Sequence, residues 1–231
     1  MLSLVAYPPI MLILSHRGFY AHCPENTLAA FEAAIALGVD GIETDIRLSQ
    51  DHRLILFHDR LAPNGQDVAT LTQRELSQQV GYPVPALAEV LQLPLLNPTA
   101  FLWNLELKTP DTLPLTLEVL RQYQTTRRLL VTSFWHPLIS AVSQDIQVEG
   151  GLLIAHRPLK VSRQTPWPWL ANHPKIRTIV YRYETLDADL VTQTQACGLQ
   201  VFVYGAITPS DHQQLVQWSV EGIITNHPDA L

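Results

Sequence analysis

Short apolar segments rich in β-branched residues recur along the sequence at nearly regular intervals. Eight of them have the length and composition of strands, at positions 11–15, 41–46, 101–107, 129–134, 150–156, 176–182, 199–205 and 221–226. Segments with the three- and four-residue apolar spacing of helices lie between most of them, at 26–38, 85–93, 113–123, 187–198 and 210–219. Strands that alternate with helices form parallel sheets, because each helix carries the chain back across the sheet.

Eight parallel strands predict closure into a (β/α)8 barrel. The 231 residues match the roughly 200 to 250 that such a barrel needs. The alternative is an open, doubly wound sheet, but the sequence has no glycine-rich dinucleotide turn, and its strands are almost continuously apolar. We therefore predict an α/β protein with one domain over residues 1–231. Only six residues follow Thr225, so we expect the last outer helix to be missing.

One connection is much longer than the others. Residues 59–85 form an insertion after the second strand and its antiparallel return at 54–58. Long connections in compact domains are often functional, because loops placed at a barrel mouth can contact the substrate. We expect this insertion to be a loop that lies over the active-site mouth.

Charge and composition exclude several classes of function. The net charge of -6 argues against a nucleic-acid surface, which is usually strongly basic. No apolar run approaches the ~20 residues that span a bilayer. Two distant cysteines, Cys23 and Cys197, form no disulfide framework, so we expect a reducing, cytoplasmic location. The apolar start suggests a secretory signal, but it lacks basic residues and contains Pro8 and Pro9, so we interpret residues 11–15 as a strand.

Ionisable residues collect at the ends of the first three predicted strands and of the antiparallel return. They are His16, Arg17, Glu43, Asp45, His58, Glu106 and Lys108. Residues two positions apart share one face of a strand, as do Glu43 and Asp45. Barrel active sites lie at the carboxyl ends of the strands, so all seven side chains are predicted to face one cleft.

This set of groups suits cleavage of a phosphodiester on a metal ion. Carboxylate oxygens from Glu43, Asp45 and Glu106 favour a hard divalent cation, Mg²⁺ or Ca²⁺, over zinc. Arg17 and Lys108 can bind phosphate oxygens. Imidazoles titrate near neutral pH, so His16 and His58 are the candidate general acid and general base, in an order that the sequence leaves open.

The same residues lie within motifs of a known family. The strings HRG at 16–18, PENTLAAFEAAIALGVDGIETDIRLSQDHRLILFHD at 24–59, PALAEVL at 85–91, LELK at 105–108, TSF at 132–134 and GIITNHP at 222–228 resemble glycerophosphodiester phosphodiesterases over nearly the whole chain. The resemblance implies a TIM-barrel hydrolase of glycerol and lipid metabolism that releases glycerol 3-phosphate and an alcohol from a small-molecule diester.

The resemblance also implies roles for individual residues. His16 and His58 would carry acid–base catalysis, Arg17 and Lys108 would bind phosphate, and three carboxylates would bind the metal: Glu43, Asp45 and Glu106. Two positions depart from the family pattern: Asn226 replaces the aspartate of the TD-x-P motif, and Tyr204 stands where a tryptophan is usual.

Two alternative functions are compatible with these motifs. One is a lysophospholipase D or lyase, in which an internal hydroxyl attacks phosphorus; its acyl chain could contact apolar residues of the insertion, namely Leu61, Val68, Leu71, Leu76 and Val80. The other is a barrel that binds phosphodiesters without turnover. Glu25 and Asn26 are interpreted as helix-start residues, with Asn26 or Thr27 as the N-cap and Glu25 favoured by the helix dipole.

Overall fold

The computed structural model describes residues 11–162 and 166–230, and places nine strands in one sheet. The strands are β1 (Leu12–His16), β2 (Gly41–Leu48), β3 (Leu54–Leu56), β4 (Leu102–Leu107), β5 (Arg128–Ser133), β6 (Glu149–Ile154), β7 (Ile176–Arg182), β8 (Gln200–Tyr204) and β9 (Gly222–Thr225). The α-helices are α1 (Leu28–Leu37), α2 (Gln73–Val80), α3 (Leu87–Val90), α4 (Leu113–Tyr123), α5 (His136–Asp145), α6 (Ala188–Ala196) and α7 (Pro209–Gln217).

Eight of the strands form a closed parallel barrel. Their order around the barrel is β1, β9, β8, β7, β6, β5, β4 and β2, and the pairing of β2 with β1 closes the ring. β3 is the antiparallel return and pairs with the last residues of β2, Ile46 to Leu48, beyond the point where the pairing of β2 with β1 ends. The predicted (β/α)8 barrel is confirmed, and all eight predicted strands match strands of the ring. Parallel closure places every strand's carboxyl end at the same mouth.

Side chains alternate between two cores along each strand, because successive residues point to opposite faces. The barrel interior is filled by one residue from each of seven strands: Leu14, Leu102, Leu130, Leu153, Val180, Phe202 and Ile224. The larger core lies between the strands and the outer helices, and Trp103 packs there edge-on against Phe31 of α1. This apolar layer of the barrel interior supports the polar residues that lie next to it on the side of the mouth.

Two helices lie where none was predicted. α5 follows β5 with Pro137 in its first turn, and α2 lies inside the insertion at 59–85. α2 starts with a capping box in which Thr72 and Glu75 each bind the other's backbone N–H. The predicted helix at 85–93 is reduced to the single turn of α3. Within the described residues a 3-10 turn, Pro228–Ala230, follows β9.

The insertion is a small folded unit with its own apolar core. Val68, Leu71 and Leu76 are buried there against Ile55 of β3. It is therefore not an unstructured loop, and that it covers the active-site mouth stays a prediction. The apolar start at residues 1–10, considered above as a signal segment, lies outside the described residues. Among the helices that the structure describes, none is long and apolar enough to cross a membrane.

Candidate active site

The loop between β1 and α1 brings two polar residues to the barrel mouth in an unusual backbone conformation. Arg17 (φ 58°) and Asn26 (φ 55°) both lie in the left-handed region, and Asn26 N–H donates to the Arg17 carbonyl. Gly18 between them is required, because a Cβ there would lie 2.8 Å from the backbone of Ala30. Strained residues held by surrounding hydrogen bonds are typical of functional sites.

Strand register places the ionisable residues side by side on the inner face of the barrel. His16 is opposite Glu43, Glu43 is opposite Asn104, and Asp45 is opposite Glu106. One face of three neighbouring strands thus carries an imidazole, three carboxylates and an amide. All of these side chains except His16 are at least nine-tenths buried.

Asp45 is the centre of this group. Its Oδ1 lies 2.7 Å from Lys108 Nζ, and its Oδ2 lies 3.2 Å from Arg17 Nε and accepts a 2.8 Å hydrogen bond from Asn26 Nδ2. Burial acts to raise the pKa of this carboxyl, but Lys108 and Arg17 outweigh it and lower the pKa to about 2. Asp45 is therefore ionised and fixes the positions of both cations.

The other two carboxylates are less completely neutralised. Burial, together with Asp45 and Glu106, raises the pKa of Glu43 well above its usual value. Burial also raises the pKa of Glu106, although Lys108 Nζ lies 2.7 Å from its Oε1 and opposes that shift. Buried carboxylates in this state favour a bound cation, because the cation removes their mutual repulsion.

The carboxylate group fits a divalent metal ion. One oxygen from each of Glu43, Asp45 and Glu106 lies within 4.8 Å of the others. The buried Oε2 of Glu43 has no hydrogen-bond partner among the residues that the structure describes, as expected for an atom that needs a further ligand. An all-oxygen donor set suits Mg²⁺ or Ca²⁺. This buried group can hold a divalent ion whose identity the geometry does not fix.

His16 stands at the edge of the carboxylate group with one ring nitrogen held. Its Nδ1 lies 2.5 Å from Asn226 Oδ1, and because an amide oxygen only accepts, that bond requires the proton on Nδ1. Nε2 then carries a lone pair, 3.6 Å from Glu43 Oε2. Burial and the neighbouring Arg17 lower the pKa of His16 to about 4, so the ring is neutral at physiological pH.

His58 lies two residues beyond β3, the strand that pairs with the carboxyl end of β2. Its Nδ1 is 2.8 Å from Asp59 Oδ1, which leaves Nε2 for other partners. The Arg47 guanidinium donates twice to the His58 carbonyl, at 3.0 and 2.6 Å, and so fixes the backbone at this position. His16 and His58 line the same cavity of about 270 Å³.

The structure brings together all seven predicted site residues. Six of them line this cavity, and Asp45 lies directly behind it in contact with Arg17 and Lys108. Their individual roles stay predictions. The cavity's other wall is apolar and aromatic, formed by Phe134, Leu153, Tyr204 and Ile224.

Several residues of the site were missed from the sequence. Thr27 is the N-cap of α1, and Asn26 does not cap: its amide links Asp45 to the Thr44 hydroxyl. Glu25 accepts a 2.8 Å hydrogen bond from Arg17 Nη1. The sequence held one signal for Asn26. Asn26 and Thr27 both precede α1 as possible N-caps, and only one of them can cap the helix, so the other was free for a different role. Asn226 was noted only as a departure from a family motif, and no local signal indicated Asn104; the partners of both are distant in sequence.

A barrel with histidines, cations and buried carboxylates at the strand ends defines a hydrolase of the phosphodiesterase class. The model of the glycerophosphoryl diester phosphodiesterase family matches residues 16–230. The chain belongs to that family.

Individual relatives agree with this placement. A glycerophosphodiester phosphodiesterase from Caldanaerobacter subterraneus is 28% identical to this chain. The alignment covers 95% of this chain and 96% of the relative. One from Bacillus altitudinis is 29% identical, with coverages of 94% and 95%. The solved structure of an Oleispira antarctica phosphodiesterase in complex with the product sn-glycerol-3-phosphate superposes with a TM-score of 0.79 at 22% identity, with coverages of 94% and 93%.

Proposed function

We propose that this protein hydrolyses glycerophosphodiesters to glycerol 3-phosphate and an alcohol, with one divalent cation, Mg²⁺ or Ca²⁺. The observation that carries the proposal is the single cavity in which two imidazoles, two cations and a buried carboxylate group meet. The family match and the product complex of the Oleispira antarctica relative support the same substrate class.

The phosphate would be bound by Arg17 and Lys108. The Lys108 ammonium group has three N–H donors. Two of them point to Asp45 and Glu106, so the third N–H is left to donate to a phosphate oxygen. Glu43, Asp45 and Glu106 would hold the cation, which when bound supplies positive charge that polarises the phosphoryl group. The fixed positions of the two side-chain cations favour the more negative transition state.

The two histidines would move the protons. His16 is neutral with its free Nε2 toward the cavity, so it is suited to accept the proton of the attacking water. His58 has Nδ1 bonded to Asp59 Oδ1, which orients the ring and leaves Nε2 to give a proton to the leaving alkoxide. Water oxygen bonds to phosphorus, the bond to the alcohol oxygen breaks, and one proton enters and one leaves the histidine pair.

The test is release of glycerol 3-phosphate from glycerophosphocholine, with and without a chelator. We expect activity to be lost on chelation and restored by Mg²⁺ or Ca²⁺, and His16→Ala and His58→Ala each to lower kcat by roughly 10² to 10⁴. His156→Ala is the control, because His156 is exposed and is not among the residues that line the cavity of His16 and His58. Activity that is unchanged by chelation or survives His16→Ala would overturn the proposal.

The same experiment separates the alternatives. Attack by the substrate's own hydroxyl would give a cyclic phosphate, which product analysis distinguishes from glycerol 3-phosphate. Tight binding of glycerophosphocholine with no turnover across a metal and pH screen would favour a binding protein instead. Of the five apolar residues of the insertion considered from sequence, Val68, Leu71 and Leu76 are buried in its own core, and Leu61 and Val80 keep exposed surface.

A further inference from the structure

Asn104 lies on the inner face of β4, between the apolar layer of the barrel interior and the carboxylate group. Leu102, two residues before it, belongs to the apolar layer, and Glu106, two residues after it, belongs to the carboxylate group. Residues two positions apart share one face of a strand. The Asn104 side chain is buried in the fold and borders the cavity of His16 and His58. Asn104 therefore forms part of the floor of this cavity.

One half of the Asn104 amide has a hydrogen-bond partner and the other half has none. Its Oδ1 accepts a 2.8 Å hydrogen bond from Thr132 Oγ1 on β5. Its Nδ2 has no hydrogen-bond partner among the residues that the structure describes. Buried donors in proteins are almost always paired, because an unpaired one loses its bonds to water without replacement. Since Asn104 borders the cavity, the missing partner is expected to be an acceptor atom inside it.

The phosphate group is poorly placed to supply this acceptor. Lys108, one of the two cations that would bind phosphate, follows Asn104 by four residues, which is roughly 13 Å of extended strand. Lys108 Nζ is held by Asp45 and Glu106, at 2.7 Å from each, and therefore lies on the mouth side of Asn104. A phosphate bound at Lys108 leaves the floor to a group that is attached to the phosphate.

The floor is closed and admits only a small group. Leu102 and Leu130 of the apolar layer fill the barrel below Asn104. The whole cavity has a volume of about 270 Å³, below the roughly 300 to 1,000 Å³ of sites that enclose a drug-sized ligand. The glycerol moiety of a glycerophosphodiester is small, whereas the alcohol on the other side of phosphorus varies in size. The glycerol moiety is therefore the arm that fits the floor.

The chemistry of the floor also matches a hydroxyl group. A hydroxyl oxygen accepts hydrogen bonds, and its own proton can be donated to a second partner. Asn104 Nδ2 offers the donor, and Glu43, opposite Asn104 in strand register, offers carboxylate oxygens. An alkyl group at the same place would leave Nδ2 unpaired.

We propose that Asn104 is a substrate-binding residue whose Nδ2 donates to a free hydroxyl of the glycerol moiety, and that it selects diesters of glycerol over diesters of simple alcohols. The inference rests on the proposed phosphodiester hydrolysis and names a residue that sets its specificity. A site that pairs a buried group with a substrate hydroxyl rejects the analogue that lacks the hydroxyl, because the buried group is then left unpaired.

The test compares glycerophosphocholine with propyl phosphocholine, which keeps the phosphodiester and the choline but lacks both glycerol hydroxyls. We expect kcat/KM of the wild type to be higher for glycerophosphocholine by about tenfold or more. A combined Asn104→Leu and Thr132→Val variant removes the amide together with the hydroxyl that bonds to it, so no new unpaired group is left. In this variant the preference should fall by about tenfold.

Thr132→Val alone is the matched control. It removes the same hydroxyl and keeps Asn104 Nδ2, so it should retain the preference for glycerophosphocholine. Urea unfolding of both variants verifies that they are folded. A fall in kcat/KM that is equal for the two substrates would assign Asn104 to support of the floor or to phosphate binding, and would overturn the inference.

Metal binding is measured on the same proteins, because Asn104 is opposite Glu43 in register. Calorimetry with Mg²⁺ and Ca²⁺ should give affinities for the combined variant within about threefold of the wild type. If the loss of preference came with a tenfold or larger loss of metal affinity, Asn104 would act through the carboxylate group, and the inference would be overturned.

A binding measurement separates this inference from the proposed function. If the wild type cleaves neither substrate, the proposed hydrolysis fails, and calorimetry with glycerol 3-phosphate and propyl phosphate then tests Asn104 without turnover. The wild type should bind glycerol 3-phosphate about tenfold more tightly than propyl phosphate, and the combined variant should bind the two about equally. Equal affinities in the wild type would overturn the inference.

Discussion

The two halves of the barrel mouth are built from opposite kinds of side chain. The half formed by β1, β2 and β4 carries an imidazole, three carboxylates and a lysine in mutual contact. The half formed by β5, β6 and β8 carries aromatic and aliphatic side chains, several of them exposed. Both halves use the same inward positions of the same fold.

This difference separates chemistry from substrate choice. The charged half is connected through Asp45, which contacts Lys108, Arg17 and Asn26, so its removal leaves buried charge unpaired. The apolar half is held by ring packing and solvent-exposed contacts, which tolerate substitution far better. Changes in the charged half are therefore expected to abolish activity, and changes in the apolar half to redirect it.

The largest effect is expected from Asp45→Asn. The change leaves Lys108 and Arg17 without their shared anion, so we expect kcat/KM to fall by roughly 10³ and the free energy of unfolding by about 3 to 5 kcal/mol. Activity assays measure kcat/KM, and urea unfolding measures the free energy of unfolding. Asp145→Asn, which breaks the exposed pair with Arg121, is the control and should cost at most about 1 kcal/mol. If Asp45→Asn and Asp145→Asn had equal effects, the charged half of the mouth would not depend on Asp45 as described.

A smaller effect is expected from Asn26→Ala. The side-chain amide of Asn26 donates to Asp45 and accepts from Thr44, so its loss lets the central carboxylate turn. Supporting residues of this kind typically contribute roughly 10- to 100-fold to activity or metal affinity. Asn26→Ala should weaken Mg²⁺ or Ca²⁺ binding, measured by calorimetry. Unchanged metal affinity would show that Asn26 serves the loop backbone alone.

The charged half should also make stability depend on pH. The folded-state pKa of His16 is about 4, below the usual 6.5, so the unfolded chain takes up a proton first as pH falls. Stability is retained above about pH 6.5 and lost toward pH 4, by about 2 kcal/mol between about pH 7 and pH 5.

Urea unfolding at several pH values, with chelator present, measures this loss. Glu43, whose pKa is raised, acts in the opposite direction, so the difference between wild type and His16→Asn isolates the histidine. If both proteins lose stability equally over this range, His16 is not held neutral.

The smallest effect is expected from Tyr204→Phe in the apolar half. The ring packs against Phe134, and in the proposed function the wall would contact the substrate through ring surface, so removing the hydroxyl should change kcat/KM by less than about threefold. Tyr204→Ala, which removes the ring, should raise KM for glycerophosphocholine more than Tyr204→Phe does. A large loss of kcat in Tyr204→Phe would place the hydroxyl in the chemistry and remove the distinction between the halves.

Much of this molecule was accessible from local pattern. The eight strands were predicted because β-branched apolar runs form buried parallel strands whatever their neighbours are. His16, Glu43, Asp45 and Glu106 were predicted to converge because strand ends of a parallel barrel share one mouth. Helix α2 was missed although its capping-box sequence, Thr72 to Glu75, is a local signal.

The sequence alone determined the barrel, the family and the set of ionisable groups, since these follow from periodicity and from short motifs. Only the tertiary structure decided which groups are partners: Asn26 turned away from its helix to Asp45, Asn226 reached His16 across 210 residues, and the apolar residues of the insertion turned inward. Such pairings depend on strand register and loop packing. These bring together residues that share no local pattern, because hydrogen bonds and burial act on distance in space and not on distance along the chain.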